Sequence, residues 1–306
     1  MKIFKALKRR HLILLILIAV LLFLIIGACA PFVRYKPLSS ITAQNLKTTN
    51  YCQEQSGTER VMLLETNTSA WEERMRMMQL AEKEIILSTF DFRDGEAPRD
   101  ILSLLLHKAD EGVKVKILVD GFSGLVRMEG RNLFYALSSH PNAEIRIYNP
   151  MNLLAPWKTQ GRMHDKYVII DDSMFILGGR NTFDYFIGDY PANSRSYDRE
   201  VLVYNTAPKQ GAGDGLSQVK AYFESVWNLP ESKIFHDSEK LSRRKGIQKE
   251  RNSLYERYQA LSNARPDLFQ TSKEEIRQYY ADHTLEAGKI TLISNPTHIY
   301  GKEPVV

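Results

Sequence analysis

Cysteine is nearly absent from this 306-residue sequence, with Cys29 and Cys52 the only two. Cys29 falls in or beside a long apolar run, which excludes a disulfide framework. No C-x-x-C pair and no His/Cys spacing suited to a metal occurs either. No cofactor and no metal are therefore expected. Internal repeats and low-complexity tracts are missing as well, so solenoid and array architectures drop out. A strong charge imbalance is also lacking: 41 Lys and Arg stand against 36 Asp and Glu, a net charge of +5. Residues 1–36 hold seven of those cations and no acid, which leaves 34 basic against 36 acidic residues elsewhere. The basic balance thus belongs to the N-terminus. The rest gives no support for a nucleic-acid surface, and no nucleic-acid partner is expected.

What the N-terminus does have is residues 12–30, an unbroken apolar run of 19 residues. As a helix it spans about 28 Å, close to the hydrocarbon thickness of a bilayer. Five cations in the first ten residues, against Arg34 and Lys36 after the run, put the N-terminus in the cytoplasm and the remainder of the chain outside it. Two alternatives compete with a transmembrane helix. One is a cleaved signal peptide, whose apolar region is usually shorter and whose small-residue site would here precede Pro31. The other is a lipobox-like Ile26-Gly27-Ala28-Cys29, lipidated at Cys29. The expected organisation is a cytoplasmic basic segment at 1–11, a membrane helix at 12–33 and a polar tether at 34–58.

From residue 59 the pattern changes to short β-branched runs alternating with amphipathic stretches. Strands are expected at 61–64, 85–90, 113–119 and 143–148, with helices at about 71–82, 98–110 and 128–138 between them. That alternation argues for an α/β fold around a largely buried sheet. After it come a strand at 200–204 and an amphipathic helix at 215–227. Residues 231–287 are rich in Lys, Arg, Glu and Gln with few apolar anchors, and are expected to form a solvated helical linker. A fresh apolar strand at 290–293 comes next.

Residues 164–181 read HDKYVIIDDSMFILGGRN. His164, Lys166 and Asp171 stand at the spacing H-x-K-x4-D, and Gly178, Gly179 and Asn181 close the segment. Two apolar runs about a polar corner at 171–173 predict a β-hairpin. On a strand, positions i and i+2 share a face, so His164 and Lys166 project together. A nucleophilic or acid/base ring beside a fixed cation suits chemistry on a phosphate, where one group attacks and the other holds anionic oxygens. The bland alternative is a solvated hairpin that happens to carry these residues.

The segment resembles the HKD signature of the phospholipase D superfamily, and its ending GGRNTFDYF resembles the cardiolipin synthase-type branch. The resemblance covers about residues 59–230 and includes the helix-to-strand passage 109–120. It implies a phospholipase D-like half with a mixed, largely buried β-sheet flanked by helices. It further implies a phosphatidyl- or phosphodiester-transfer enzyme working through a phosphohistidine on a phospholipid substrate. By that resemblance His164 is nucleophile or acid, and Lys166 binds nonbridging phosphate oxygens. Asn181 donates a further hydrogen bond, while Gly178 and Gly179 let backbone approach the ligand. Asp171 either touches the site or anchors the hairpin turn. A poised histidine needs a carboxylate on its other nitrogen; Asp198 is first choice and Glu200 next, as a residue near substrate. Asp91, Arg93 and Asp94 come after a strand end, as substrate contacts or as an exposed turn.

The family carries two such motifs, and here the sequence departs from it. His11, His107, His140, His236, His283 and His298 all lack a lysine two positions on. The second half is expected either in the same, longer chain, opened by residues 231–306, or in a homodimer partner. A nuclease-type phosphodiesterase acting as a homodimer and an inactive half-site scaffold remain the alternatives.

Overall fold

The computed structural model describes residues 9–29, 40–45, 57–152, 154, 159, 161–207 and 214–294. The expected tether lies for the most part outside the described residues, as do Cys52 and residues 1–8. Helix α1 (Arg9–Cys29) is apolar all round from Leu12 onward. Its segment His11–Cys29 has a mean hydropathy of 3.4 with only 6% of the apolar window buried, and it is long and apolar enough to cross a membrane. A short helix α2 (Ser40–Asn45) comes after it.

Among the described residues, nine strands form one mixed sheet. They are β1 (Glu59–Leu64), β2 (Glu84–Thr89), β3 (Lys114–Asp120), β4 (Ala143–Tyr148), β5 (Tyr167–Ile170), β6 (Met174–Gly178), β7 (Glu200–Asn205), β8 (Ser232–Ile234) and β9 (Leu285–Glu286). Their order is β8-β4-β3-β2-β5-β6-β7-β1-β9. Strands β2, β3 and β4 run parallel, and every other pairing is antiparallel. Side chains alternate between two cores. Ile85, Leu87, Val115, Ile117, Val168 and Ile176 face one, whereas Ile86, Leu118, Ile169 and Phe175 face the other. Burial on both faces explains why these strands read as nearly continuous apolar runs.

The larger core lies under α3 (Asn67–Gln79), α4 (Glu96–Asp110) and α6 (Asn132–Ser138); α7 (Gly215–Trp227) covers the other face. Thr66 caps α3 by accepting from the Ser69 amide at 3.0 Å, with Ser69 reciprocating, so the polar cluster before the helix starts it. Between β3 and α6 the chain makes a short helix α5 (Gly121–Ser123) and a π-helical turn over Gly124–Met128.

Two expectations about the C-terminal region need correction. Residues 239–283 form α8 (Glu239–Ser242), α9 (Lys245–Ala264), α10 (Pro266–Phe269) and α11 (Lys273–His283), and these are no solvated linker. Ile247, Leu254, Tyr258, Leu268, Ile276 and Tyr280 are buried in the larger core, with α9 against α4 and α6 and with α10 and α11 against α3. The fully buried residues come only one per turn or two, and the partly buried Tyr255, Leu261 and Tyr279 pack against the same core beside them. Arg257 also reaches the buried Asp100 at 2.5 Å. Residues 290–293, expected to be a strand, are not one. Ile290 packs on Gly215, and Leu292 donates its amide to Gln218 Oε1 at 3.1 Å. The strand at this end is β9, which pairs with β1.

Candidate active site

The topology gathers the chemistry at one sheet edge. Because β5 is antiparallel to β2, with Tyr167 opposite Ser88, the start of β5 meets the end of β2. The end of β6 and the start of β7 arrive beside it through the pairs Tyr167–Leu177 and Gly178–Glu200. The C-terminal ends of the parallel strands thus surround residues 161–166, where open α/β sheets place ligand sites.

His164 and Lys166 lie just before β5. The Lys166 ammonium sits 3.0 Å from His164 Nδ1 and donates to the His164 carbonyl at 2.6 Å. The imidazole is exposed, while Lys166 is only 5% exposed. Burial pulls Lys166 down to about 8, against the opposing pull of the Asp165 and Asp198 carboxylates. His164 is also lowered, by partial burial and then by the Lys166 charge, which keeps the ring neutral near pH 7. The Phe90 ring lies 4.9 Å from the imidazole and forms one wall.

Neighbours outside the motif hold this pair in place. Asp120, fully buried at the end of β3, accepts from the Met163 amide at 2.9 Å and from Arg162 at 3.1 Å. Arg162 in turn donates to the Asn149 carbonyl at 2.6 Å. A side chain at Gly121 would meet that carbonyl oxygen at 2.2 Å, so the close approach requires glycine. Tyr222 of α7 donates to Asp165 at 2.8 Å, and burial raises the Asp165 carboxyl. Phe90, Asp120, Arg162 and Tyr222 went unnoticed in sequence reasoning. Only Asp120 had a legible signal, as a lone acid closing an apolar strand.

The other expected site residues divide into two groups. Gly178, Gly179, Asn181 and Asp198 are at the same edge. Gly178 donates its amide to the Lys166 carbonyl at 3.2 Å. A side chain at Gly179 would meet the Asp198 carboxylate at 2.0 Å, so the acid lies directly on the glycine backbone, and its charge acts on Lys166 rather than on a nitrogen of His164 as expected. Asn181 accepts from the Asp91 amide at 3.0 Å. Asp171 and Glu200 are placed elsewhere. Asp171 sits in the β5–β6 turn at φ 50°, and its carboxylate accepts from the amides of Glu82, Lys83 and Glu84 at 2.7–2.9 Å. It is a strut between the turn and the start of β2. Glu200, read from sequence as near substrate, has both carboxylate oxygens taken by Arg74 at 2.7 Å, with Arg180 at 3.5 Å. All three side chains are at most 3% exposed, so the cluster is a buried ionic staple. Asp91 is likewise no exposed turn. It is buried, accepts from Arg93 at 2.5 Å and Ser123 at 3.2 Å, and Arg93 lies over the Phe183 ring.

Among the described residues no His, Cys, Asp and Glu cluster could hold a metal. The arrangement at the strand ends offers a solvent-facing imidazole beside a buried cation with glycine backbone close by. That is the equipment of a nucleophile and an anion holder.

The family model for "Cardiolipin synthase, PLD-like domain" matches residues 75–227, half of the chain. The chain belongs to the phospholipase D superfamily, in a cardiolipin synthase-like branch. An uncharacterized protein of Helicobacter pylori is 28% identical over 214 residues, covering 64% of this chain and 38% of that protein. Cardiolipin synthase C of Escherichia coli is 29% identical over 151 residues, 45% of this chain and 30% of the relative. This chain therefore spans well under half the length of these curated relatives. Solved structures that it resembles include NucT from Helicobacter pylori, with 19% identity and a TM-score of 0.43 over 58% of this chain and 99% of that one. Phosphatidylserine synthase of Haemophilus influenzae has 15% identity and a TM-score of 0.45 over 66% and 44%. Membership of the superfamily supports phosphodiester chemistry as the enzyme class.

Proposed function

We propose that the chain transfers phosphatidyl groups through a phosphohistidine on His164, acting on phospholipid at a membrane. The observation that carries this reading is the pairing of an exposed imidazole with the buried Lys166 side chain 3.0 Å away. His164 Nε2 attacks phosphorus, a P–N bond forms, and the ester P–O bond to the leaving alcohol breaks. Lys166 holds nonbridging oxygens, and their charge restores the proton preference that burial takes from it. Asn181, with its carbonyl fixed on Asp91, turns its amide N–H groups to the phosphate. Asp198 steadies the charged end of the pair. Asp171 and Glu200 serve the scaffold.

In-line displacement puts attacking and departing groups on opposite sides of phosphorus. One histidine cannot be both, so a second must protonate the leaving alkoxide. It comes from another half, either in a longer chain or in a second copy. Helix α1 supplies the membrane anchor, with the N-terminus cytoplasmic and the catalytic part outside. Transfer of the phosphatidyl group to phosphatidylglycerol gives cardiolipin, and transfer to water gives phosphatidic acid. The test is to incubate full-length protein with phospholipid labelled at phosphorus, quench, and map the label. Acid-labile phosphate on His164, lost in H164A, supports the reading. An unlabelled His164 together with neither lipid product ends it.

A further inference from the structure

The turn after β3 presents apolar side chains to solvent at the same sheet edge as His164. Phe122, Leu125 and Val126 are 41%, 52% and 47% exposed and stand three and four residues apart on consecutive helical turns, so they share one face. The opposite face is fixed. Ser123 accepts from the Phe92 amide at 2.9 Å and donates to Asp91, and a side chain at Gly124 would meet Ile147 at 2.8 Å. The apolar tip is thus held rigidly beside the residues that wall His164, with no core of its own to enter. Leu125 continues it into an open groove of about 270 Å³, lined also by Pro150, Met151 and the half-exposed Ile234.

We infer that this tip is a docking surface for the lipid bilayer, with Phe122, Leu125 and Val126 entering the interface and presenting the catalytic edge to headgroups. The inference rests on the phospholipid reading above and adds an orientation to it. Contiguous exposed apolar surface rimmed by polar groups marks an interaction site. Two further observations favour a bilayer as occupant. The exposed flanking charges, Arg131 and Lys233, are cationic, and a third cation, Arg127, is half-exposed with its guanidinium 4.0 Å from the buried Asp91; the exposed acid on the tip, Glu129, is paired with His236 at 3.0 Å. That balance suits an anionic lipid surface. In addition, α1 is long and apolar enough to cross a bilayer, and as the anchor proposed above it keeps the catalytic part close to the membrane.

Full-length protein in vesicles of phosphatidylethanolamine and phosphatidylglycerol, doped with a phospholipid bearing a diazirine on its acyl chain, gives a direct readout on the unmodified chain. After irradiation and peptide mapping, adducts are expected on residues 11–29 and again on 122–126, and not on the exposed face of α9 around Ser253. L125D should lose the adducts at 122–126 and keep those at 11–29. Adducts confined to 11–29 overturn the inference, including the case where a second copy covers the tip. Phosphate trapping on His164 reports the chemistry separately. A labelled His164 with no adducts at 122–126 removes the docking surface and spares the catalytic reading, and the converse pattern does the opposite.

Discussion

Replacing Asp171 separates two roles that its place in the H-x-K-x4-D motif leaves entangled. Its carboxylate takes three backbone amides at the start of β2, and its backbone is left-handed at φ 50°. Partly exposed amide-to-carboxylate bonds contribute about 1 kcal/mol each, so D171A loses about 3 kcal/mol from them. Holding alanine in the left-handed region adds roughly 1–2 kcal/mol. D171G escapes that strain but makes the unfolded chain freer, and should be less destabilised than D171A by about 1 kcal/mol. D171N keeps a carbonyl acceptor and tolerates the backbone, so it should lose only about 1–2 kcal/mol. Urea unfolding of the three variants gives the order directly, with D171A least stable, D171G next and D171N nearest the parent. Phosphohistidine formation per folded molecule should be unchanged in D171N. A D171N protein as stable as the parent within about 0.5 kcal/mol but unable to label His164 would refute the structural assignment and return Asp171 to the chemistry.

The depressed Lys166 gives a pH signature. Its folded-state value of about 8 lies below the ordinary 10.5, so the unfolded chain binds the proton more tightly. Stability should therefore rise between pH 8 and 10.5, by up to about 3 kcal/mol, and denaturation midpoints should show this slope in the parent and lose it in K166M. Labelling of His164 should fall over the same rise in pH as the ammonium discharges. G179A pushes a methyl group into the Asp198 carboxylate; by displacing it, the change should slow phosphohistidine formation by about 100-fold in rapid-quench measurements, with D198N adding little on top. L254A should cost about 3 kcal/mol by chemical denaturation, since Leu254 is 1% exposed, whereas a solvated linker would register no change.

The sequence discloses the alternating strands, the hairpin and the His164–Lys166 pair because each depends on local spacing. Tyr167 to Ile170 is a short β-branched apolar run that stops at a polar corner, and one residue separates His164 from Lys166, which sets both on one face of any extended chain. Asp120, Phe90 and Tyr222 were hidden for the opposite reason. Each reaches the site from a different strand or helix, 44–74 residues from His164 along the chain, and nothing local marks the meeting. Glu200 misled because a charge at a strand start next to Asp198 resembles a site residue until Arg74 and Arg180 are seen to enclose it. The helices at 245–283 were legible but their burial was not, because their buried residues are sparse and their charged residues are many. Their packing is decided by the faces of α4 and α6 beneath them.

The position of β5 between β2 and β6 has a kinetic consequence. His164 and Lys166 are carried in by a strand whose partner β2 lies about 80 residues earlier, and Asp120 must already cap β3 to hold Met163. Pairings that close such long loops form late, because chain entropy is lost before contacts compensate for it. The parallel unit β2-β3-β4, with α4 and α6, can assemble from near neighbours. The hairpin β5-β6 is local as well. Their union across the β2–β5 seam is the step that brings the imidazole, its cation and the wall of Phe90 together. A chain halted before that seam closes would hold most of its strands and helices and still have no site, so reactivity at His164 serves as a reporter of the final folding event.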